Sequence, residues 1–205
     1  MSLFITVEGG EGGGKSTNLD FIANYLTEKG YEVVKTREPG GTQLGEKLRD
    51  VLLDTNMTAM DSSTELLLMF AARAQHISEV IQPALTAGKW VLCDRFTDAT
   101  YAYQGGGRKI PMQRIAVLED WVQAELRPDL TILLDIPVED GMKRAMARGQ
   151  QDRFEQEKLS FFERVRQCYL TMAQQQPNRY RVINAAQTLE QVQINIKKVL
   201  DEVCG

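Results

Sequence analysis

The densest run of chemistry-bearing residues lies between Val7 and Thr17, in the sequence VEGGEGGGKST. Five glycines among these residues cost backbone entropy on folding, so the missing side chains must serve a purpose. The spacing G-x-x-x-x-G-K-S is that of a phosphate-binding P-loop, whose backbone N–H groups surround phosphate oxygens. We therefore predict that the phosphates of a nucleotide bind to Gly9, Gly10, Glu11, Gly12, Gly13, Gly14, Lys15, Ser16 and Thr17.

The context of this loop favours a P-loop over a flexible glycine turn. An apolar strand (Phe4–Val7) precedes the loop and an amphipathic helix follows it from Ser16. Lys15 would place a positive charge near the β- and γ-phosphates, and the helix N-terminus adds a favourable partial charge. The hydroxyl of Ser16 is a candidate ligand of Mg²⁺.

A carboxylate suited to Mg²⁺ or its water ends the apolar part of VLCDR, residues Val91–Arg95. Asp94 ends this predicted strand beside the P-loop, and Arg95 next to it could bind a phosphate. A strand-end salt bridge is the structural alternative. Asp135 in TILLDIP is a rival carboxylate, but we prefer Asp94 because an arginine follows it.

Two further clusters of positive charge suggest more than one phosphorylated ligand. Arg37 ends the second strand within TREPGGT, and KRAMARGQQDR (Lys143–Arg153) carries four cations with Gly149 as a break. The second cluster could be a lid that folds over phosphates or simply a solvated helix face. Because one triphosphate does not need all these cations, the pattern favours phosphoryl transfer between nucleotides over a GTPase switch.

The elements that must position these residues alternate between strand and helix. Short apolar runs predict strands at Leu3–Val7, Glu32–Thr36, Trp90–Cys93, Leu130–Leu134 and Arg181–Ile183. Helical periodicity separates them, as in Leu19, Ile22, Ala23 and Leu26, with Gly30 as a stop. This order predicts an α/β fold with helices on both faces of a parallel sheet and with ligands at the carboxyl ends of the strands.

Composition limits the remaining possibilities. The chain has 205 residues, 43% of them hydrophobic, which suits one domain spanning residues 1–205. Its net charge of -4 argues against a nucleic acid polymer as the main partner. No apolar run is long enough for a membrane span, and the N-terminal stretch lacks a signal-peptide pattern. Three widely spaced cysteines favour a reducing, cytoplasmic location.

The combined motifs EGGEGGGKST, TREPGGT, LMFAARAQH, DRFTDATYAYQGGGR, RPDLTILLD and ARGQQDRFEQE resemble bacterial thymidylate kinases, in order and spacing, from about Phe4 to Tyr169. The resemblance implies a P-loop kinase fold, a five-stranded parallel sheet in the order 2-3-1-4-5 with a lid at about 141–155. It implies transfer of the γ-phosphoryl group of ATP to dTMP with Mg²⁺, giving dTDP, and a homodimer.

The resemblance also assigns roles to individual residues. Those implied to bind dTMP are Glu11, Arg37, Phe70, Arg73, Arg95, Thr100, Tyr103 and Gln104. Among them, Phe70 would stack on thymine, although its apolar helix alone would suggest a core position. Arg73 would reach a base carbonyl, and Tyr103 would pack under the deoxyribose. The catalytic residues would be Lys15, Arg148, Arg95 and Glu11, with Ser16 and Asp94 at the metal.

Several positions leave alternatives open. Asn184-Ala185 stands where the family often has Asp-Ala, and Met146 stands where it often has arginine, which increases the importance of Arg148. His76 is expected to be structural, and Trp121 is expected in the core or at an interface. Two rival functions remain at this point: a kinase for another nucleoside monophosphate, and a P-loop ATPase switch without an acceptor.

Overall fold

The central element is one parallel sheet in the order β2-β3-β1-β4-β5. The computed structural model describes residues 2–147, 149 and 152–204. The predicted order is confirmed, and each predicted strand is present with bounds shifted by a residue or so. Within the described residues the strands are β1 (Phe4–Glu8), β2 (Val33–Arg37), β3 (Trp90–Asp94), β4 (Leu130–Asp135) and β5 (Tyr180–Asn184).

Helices connect these strands and cover both faces of the sheet. Two π-helical segments, Ile77–Ile81 and Tyr101–Gly107, directly continue the helices that precede them. In the described part of the chain the α-helices are α1 (Lys15–Glu28), α2 (Gln43–Leu53), α3 (Ser62–His76), α4 (Gln82–Thr86), α5 (Thr97–Thr100), α6 (Met112–Gln123), α7 (Val138–Met146), α8 (Leu159–Gln175) and α9 (Leu189–Cys204).

Alternate strand residues supply the cores on the two faces of the sheet. Ile5 and Leu92 point into a cluster with the apolar sides of α1 and α9, whereas Phe4 and Val91 belong to a cluster on the opposite face. Strands buried on both faces read as continuous apolar runs, which is why they could be found from sequence. The sheet therefore holds the ends of its strands firmly at one edge, where the P-loop begins.

The lid segment predicted at about 141–155 remains a prediction. Its first part belongs to α7, which ends at Met146. Arg148, the residue implied to be catalytic, lies outside the described residues.

Trp121 is not a core residue, so that alternative was wrong. Its side chain on α6 is 81% exposed, and Val117 one turn earlier is 66% exposed. Large apolar side chains in this position are typical of interaction surfaces. Within the described residues, no helix combines the length and the apolar content that a bilayer crossing requires.

Candidate active site

A cavity of about 390 Å³ opens at the carboxyl edge of the sheet. This volume lies in the range of small-molecule binding sites. The structure brings most of the predicted residues together in its walls: Glu11, Gly12, Gly13, Gly14, Lys15, Ser16, Arg73, Asp94, Arg95, Thr100, Tyr103 and Gln104. Four predicted residues, Gly9, Gly10, Arg37 and Phe70, do not line it, and neither does Thr17, which is exposed at the start of α1.

The P-loop forms the phosphate side of this cavity and packs closely against α7. Gly12 has a φ of 69°, and a Cβ atom there would lie 1.9 Å from the carbonyl oxygen of Gly141. A Cβ atom on Gly141 would likewise lie 2.4 Å from the carbonyl oxygen of Glu11. The loop and the helix that leads toward the lid can meet at this distance only because both positions are glycine.

Lys15 is held within the loop by backbone acceptors. Its Nζ donates hydrogen bonds to the carbonyl oxygens of Gly9, at 3.3 Å, and Gly10, at 2.9 Å. Burial, followed by the neighbouring Arg95 cation, lowers the pKa of Lys15. A cation placed in this way gains favourable interaction energy when an anion enters the cavity.

Asp94 is better placed for a metal than its rival Asp135. Oδ1 of Asp94 is buried and has no hydrogen-bond partner among the described residues, and Asp94 lines the cavity together with Ser16. Asp135 instead accepts two hydrogen bonds from Arg166, at 2.7 and 2.9 Å. A buried carboxylate oxygen without a partner is costly unless a ligand satisfies it, so the residues present fit Mg²⁺ or its water.

Arg95 connects the P-loop with the part of the cavity wall formed by Arg73, Thr100 and Tyr103. Its guanidinium donates to the carbonyl oxygen of Gly9 at 2.9 Å and to Oε1 of Glu11 at 2.8 Å. The same Glu11 oxygen accepts the hydroxyl hydrogen of Tyr103 at 2.7 Å, and Arg95 lies over the Tyr103 ring at 4.7 Å. Glu11, Arg95 and Tyr103 are therefore bonded to one another in one unit. The hydroxyl of Tyr101, in contrast, bonds to Glu119 on α6.

Arg37 lies apart from the cavity, while Arg49 lines it. Arg37 is half exposed and pairs with Glu46 at 2.7 Å. Arg49 on α2 donates to the carbonyl oxygen of Pro39 at 3.0 Å. Burial, followed by the charge of Arg37, lowers the pKa of Arg49, and Arg95 contributes in the same direction. Arginine side chains that repel one another in this way are stabilised when an anion binds between them. Sequence reasoning missed Arg49 because nothing but a helical pattern surrounds it.

Arg73 is a buried cation that lines the same cavity. Its side chain is 2% exposed, with Nε donating to Glu38 at 2.8 Å and Nη2 donating to the Thr100 hydroxyl at 3.0 Å. Nη1 is buried and has no partner within the described residues. A buried donor of this kind is expected to find its acceptor in a ligand.

Phe70 does not reach the cavity, and Met69 does. The ring of Phe70 is 3% exposed and packs with Leu66, Ile110 and Ile115, in the cluster that joins α3 to α6. Met69 is partly buried and lines the cavity. Successive helix residues are rotated by about 100°, so one position decides between cavity and core. The thymine-stacking role implied for Phe70 therefore has no support in this geometry.

Gln104 and Arg153 share a buried acceptor, Glu65. The side chain of Gln104 donates to Glu65 at 2.8 Å, and Arg153 pairs with Glu65 at 2.7 Å. Arg153 also donates from Nε to the carbonyl oxygen of Leu52 at 2.8 Å. Arg153, a lid cation in the sequence, therefore contacts the protein interior.

Arg144 of α7 donates to the carbonyl oxygen of Ala185 at 2.9 Å. This residue follows Asn184, where the family often has aspartate.

Comparisons with known proteins agree with one another. A family model, Thymidylate kinase, matches residues 7–196. The thymidylate kinase of Ectopseudomonas mendocina strain ymp is 62% identical over 198 residues, covering 97% of this chain and 94% of that protein. That of Pseudomonas syringae pv. tomato strain DC3000 is 58% identical over 201 residues, covering 98% and 96%. The crystal structure of thymidylate kinase from Ehrlichia chaffeensis superposes with a TM-score of 0.79, at 37% identity and 98% coverage of both chains.

Proposed function

We propose a division of labour within this chain, which belongs to the thymidylate kinase family and transfers the γ-phosphoryl group of ATP to dTMP. The observation that carries the proposal is the single cavity that joins a P-loop to a buried arginine with one free donor edge. The P-loop suits the donor phosphates, and the far wall suits a nucleoside. The two sides meet at Glu11, Arg95 and Tyr103, where the acceptor phosphate must lie.

On the phosphate side, stabilisation of negative charge is the main task. Backbone N–H groups of the P-loop and the N-terminus of α1 bind the ATP phosphates. Lys15 and Arg95 then stabilise the charge that develops on the transferred group. Arg148 is proposed to supply a further cation from the lid segment, on the resemblance alone. Arg49 joins Arg95 around the acceptor phosphate, with Arg37 at a greater distance.

On the nucleoside side, orientation and selectivity are the main tasks. Nη1 of Arg73 would donate to a carbonyl oxygen of thymine, with Thr100 and Gln104 beside it. Tyr103 would contact the deoxyribose, and its hydroxyl is already held by Glu11. Met69, rather than Phe70, would contact the face of the base. A site built around such donors rejects a base that leaves them unpaired.

Ser16 and Asp94 would hold Mg²⁺, directly or through water. Both offer oxygen ligands, and Mg²⁺ at nucleotide sites commonly takes only one or two protein ligands besides phosphates and water. When bound, the ion neutralises charge on the β- and γ-phosphate oxygens. The carboxylate of Asp94 keeps Oδ1 available for this purpose, because no side chain of the described residues bonds to it.

A homodimer and a cytoplasmic location complete the proposal. The exposed side chains of Leu67 on α3 and of Val117 and Trp121 on α6 lie on helices that pack together. A second copy that covered them would remove substantial apolar area from water. The three cysteines are unpaired thiols, which suits a reducing compartment. Analytical ultracentrifugation of the chain and of Trp121→Ser tests the dimer, because the substitution is expected to favour the monomer.

A panel of monophosphates tests the reaction itself. ADP release would be measured with ATP, Mg²⁺ and each of dTMP, dUMP, dCMP and dGMP. We expect dTMP to give the highest kcat/KM and ADP release without an acceptor to be far slower. A preference for another monophosphate would contradict the substrate assignment. Hydrolysis of ATP that no monophosphate accelerates would instead support the ATPase switch.

A further inference from the structure

A buried polar cluster forms part of the cavity wall around Arg73. Its centre is the carboxylate of Glu38, which is 5% exposed and lies in the segment after β2. One oxygen accepts from Nε of Arg73 at 2.8 Å, and the other lies 2.9 Å from Nδ1 of His76. Nε2 of His76 lies 2.6 Å from the hydroxyl oxygen of Thr36. His76, the chain's sole histidine, is fully buried.

The partners assign the proton of the imidazole. The carboxylate of Glu38 can only accept, so Nδ1 of His76 carries the hydrogen. Nε2 and the hydroxyl oxygen of Thr36 lie within hydrogen-bond distance on the other side of the ring. The imidazole therefore links β2 to Glu38 in a fixed direction and has no polar atom left for a ligand.

The same cluster fixes Arg73 on several sides. Glu38 holds Nε and Thr100 holds Nη2, while the rings of Phe70 and Phe96 lie 4.8 and 5.1 Å from the guanidinium carbon. Only Nη1 remains without a partner within the described residues, and Arg73 lines the cavity. A guanidinium held in this way presents one donor edge in one direction.

The loop within TREPGGT is shaped around the imidazole. Gly41 has a φ of 79°, and a Cβ atom on it would lie 2.6 Å from Cδ2 and Nε2 of His76 and 2.7 Å from the Thr36 hydroxyl oxygen. The ring therefore has no space for movement on that side. This contact joins Gly41 of the motif TREPGGT to His76 of the motif LMFAARAQH. It gives both residues a structural role apart from any contact with phosphate or base.

We propose that His76 and Glu38 are positioning residues that direct Nη1 of Arg73 toward the base and thereby set the selectivity for a carbonyl acceptor. This inference rests on the proposed dTMP kinase activity. If the cluster held Arg73 less firmly, the guanidinium could turn away from the amino group of cytosine, and the mismatch between two donors would cost less. Discrimination between thymine and cytosine would then fall more than the overall rate.

Two substitutions of His76 separate positioning from mere packing. In His76→Asn the amide nitrogen can occupy the place of Nδ1 and keep the bond to Glu38. In His76→Gln the amide reaches the place of Nε2 and Thr36 but loses Glu38. The measurement is the ratio of kcat/KM for dTMP to that for dCMP, which does not depend on the fraction of folded enzyme. We expect about a tenfold or larger fall in His76→Gln and less than about threefold in His76→Asn.

Thr36→Val is the matched control. It removes the contact between Nε2 of His76 and the Thr36 hydroxyl and leaves the contact between Nδ1 and Glu38. Its ratio should stay near that of the unaltered chain. Equal losses in His76→Asn and His76→Gln, or an unchanged ratio in folded His76→Gln, would overturn the proposal. If His76→Gln yields no folded protein, Glu38→Ala takes its place with the same expected fall, and an unchanged ratio there overturns it.

The ratio of kcat/KM for dTMP to that for dCMP in the unaltered chain tests the proposed function separately from the positioning role that rests on it. A chain that did not prefer dTMP over dCMP would contradict the proposed function before any variant was compared. A chain that does prefer dTMP, with a ratio insensitive to the loss of the Glu38 contact, would contradict only the positioning role.

Discussion

The phosphate side and the nucleoside side of the cavity are built from different materials. The phosphate side consists of consecutive P-loop residues, Glu11 to Ser16, that offer backbone N–H groups and side chains partly open to solvent. The nucleoside side combines Glu38, Arg73 and Thr100, which come from distant parts of the chain and are nearly inaccessible to solvent. Their side chains are bonded to one another before any ligand arrives.

This difference predicts how each side responds to substitution. Where backbone groups bind the ligand, replacement of an exposed or partly exposed side chain such as Lys15 should affect function alone, whereas Gly12 is also needed for the packing against α7. A site made of buried, mutually bonded side chains is also part of the core, and removal of one member leaves another unsatisfied. Substitutions on the nucleoside side should therefore lower stability and function together, unless they remove only the group that meets the ligand.

The largest effect is expected for Arg148→Ala, which removes the cation that the resemblance assigns to the transferred phosphoryl group. An arginine that stabilises a transferring phosphoryl group is worth about 10³-fold or more in kcat, equivalent to about 4 kcal/mol. The melting temperature and the KM for dTMP should change little. Lys143→Ala, which removes an exposed cation of the same segment, is the control and should keep nearly full kcat. Near-normal turnover of Arg148→Ala would move the catalytic cation to another residue.

Lys15→Ala should follow, with a loss of about 10²–10³-fold in kcat, the range known for removal of one electrostatic contact to a transition state. Its Nζ bonds only to loop carbonyl oxygens within the described residues, so the unfolding free energy should change by less than about 1 kcal/mol. Steady-state kinetics and urea denaturation measure the two quantities. Lys89→Ala serves as the exposed control. A large loss of stability in Lys15→Ala would contradict the contrast between the two sides.

On the nucleoside side, neighbouring positions of α3 should separate stability from binding. Phe70→Ala removes a buried ring and should lower the unfolding free energy by about 3–5 kcal/mol. Met69→Ala, at the cavity wall, should cost far less stability and should raise the KM for dTMP about tenfold or less. Urea denaturation and steady-state kinetics of both variants provide the test. The opposite pattern would return the base-stacking role to Phe70.

These two residues also show how far the sequence could predict the molecule. The P-loop and the candidate carboxylate Asp94 were predicted from contiguous patterns, because local spacing records them, whereas the strand order was predicted from the resemblance alone. The choice between Met69 and Phe70 depends on how α3 packs against α6, and no local spacing contains that information. Arg49 was missed for the same reason, since its position relative to Arg37 and Arg95 is created only by folding.

Arg153→Ala tests whether the end of the predicted lid segment behaves like the phosphate side or like the buried nucleoside side. Arg153 is 9% exposed, forms an ion pair with Glu65 and donates a hydrogen bond to the carbonyl oxygen of Leu52. Its loss should cost about 2 kcal/mol of stability, less than a fully isolated buried pair, because Glu65 keeps Arg108 as a partner. The kcat should fall by less than about tenfold. Arg153→Lys should lie between, since it keeps the charge but loses the planar guanidinium. A kcat loss as large as that of Arg148→Ala would make Arg153 the catalytic cation.

The most pH-dependent effect is expected at the buried Glu8, the last residue of β1. This fully buried carboxyl accepts hydrogen bonds from the backbone N–H of Phe96 and from the hydroxyl of Tyr169, both at 2.7 Å. Burial, followed by the charge of Asp98, raises the pKa of Glu8 to about 8. The folded chain therefore holds this proton over a range in which the unfolded chain, with a pKa near 4.5, has released it.

The sign of the pH dependence follows from this difference. As the pH rises from about 4.5 to about 8, Glu8 should lower the free energy of unfolding by at most about 1.4 kcal/mol per pH unit, and above pH 8 the loss should level off. Glu8→Gln removes this proton equilibrium and keeps an amide of similar shape. Urea denaturation at pH 6 and pH 9 should thus show the variant gaining stability relative to the unaltered chain at the higher pH. If the unfolding free energies of the two chains changed in parallel with pH, Glu8 would be ionised in the folded chain at neutral pH. Arg95 and the two donors to Glu8, Phe96 and Tyr169, would then compensate for the burial of its charge.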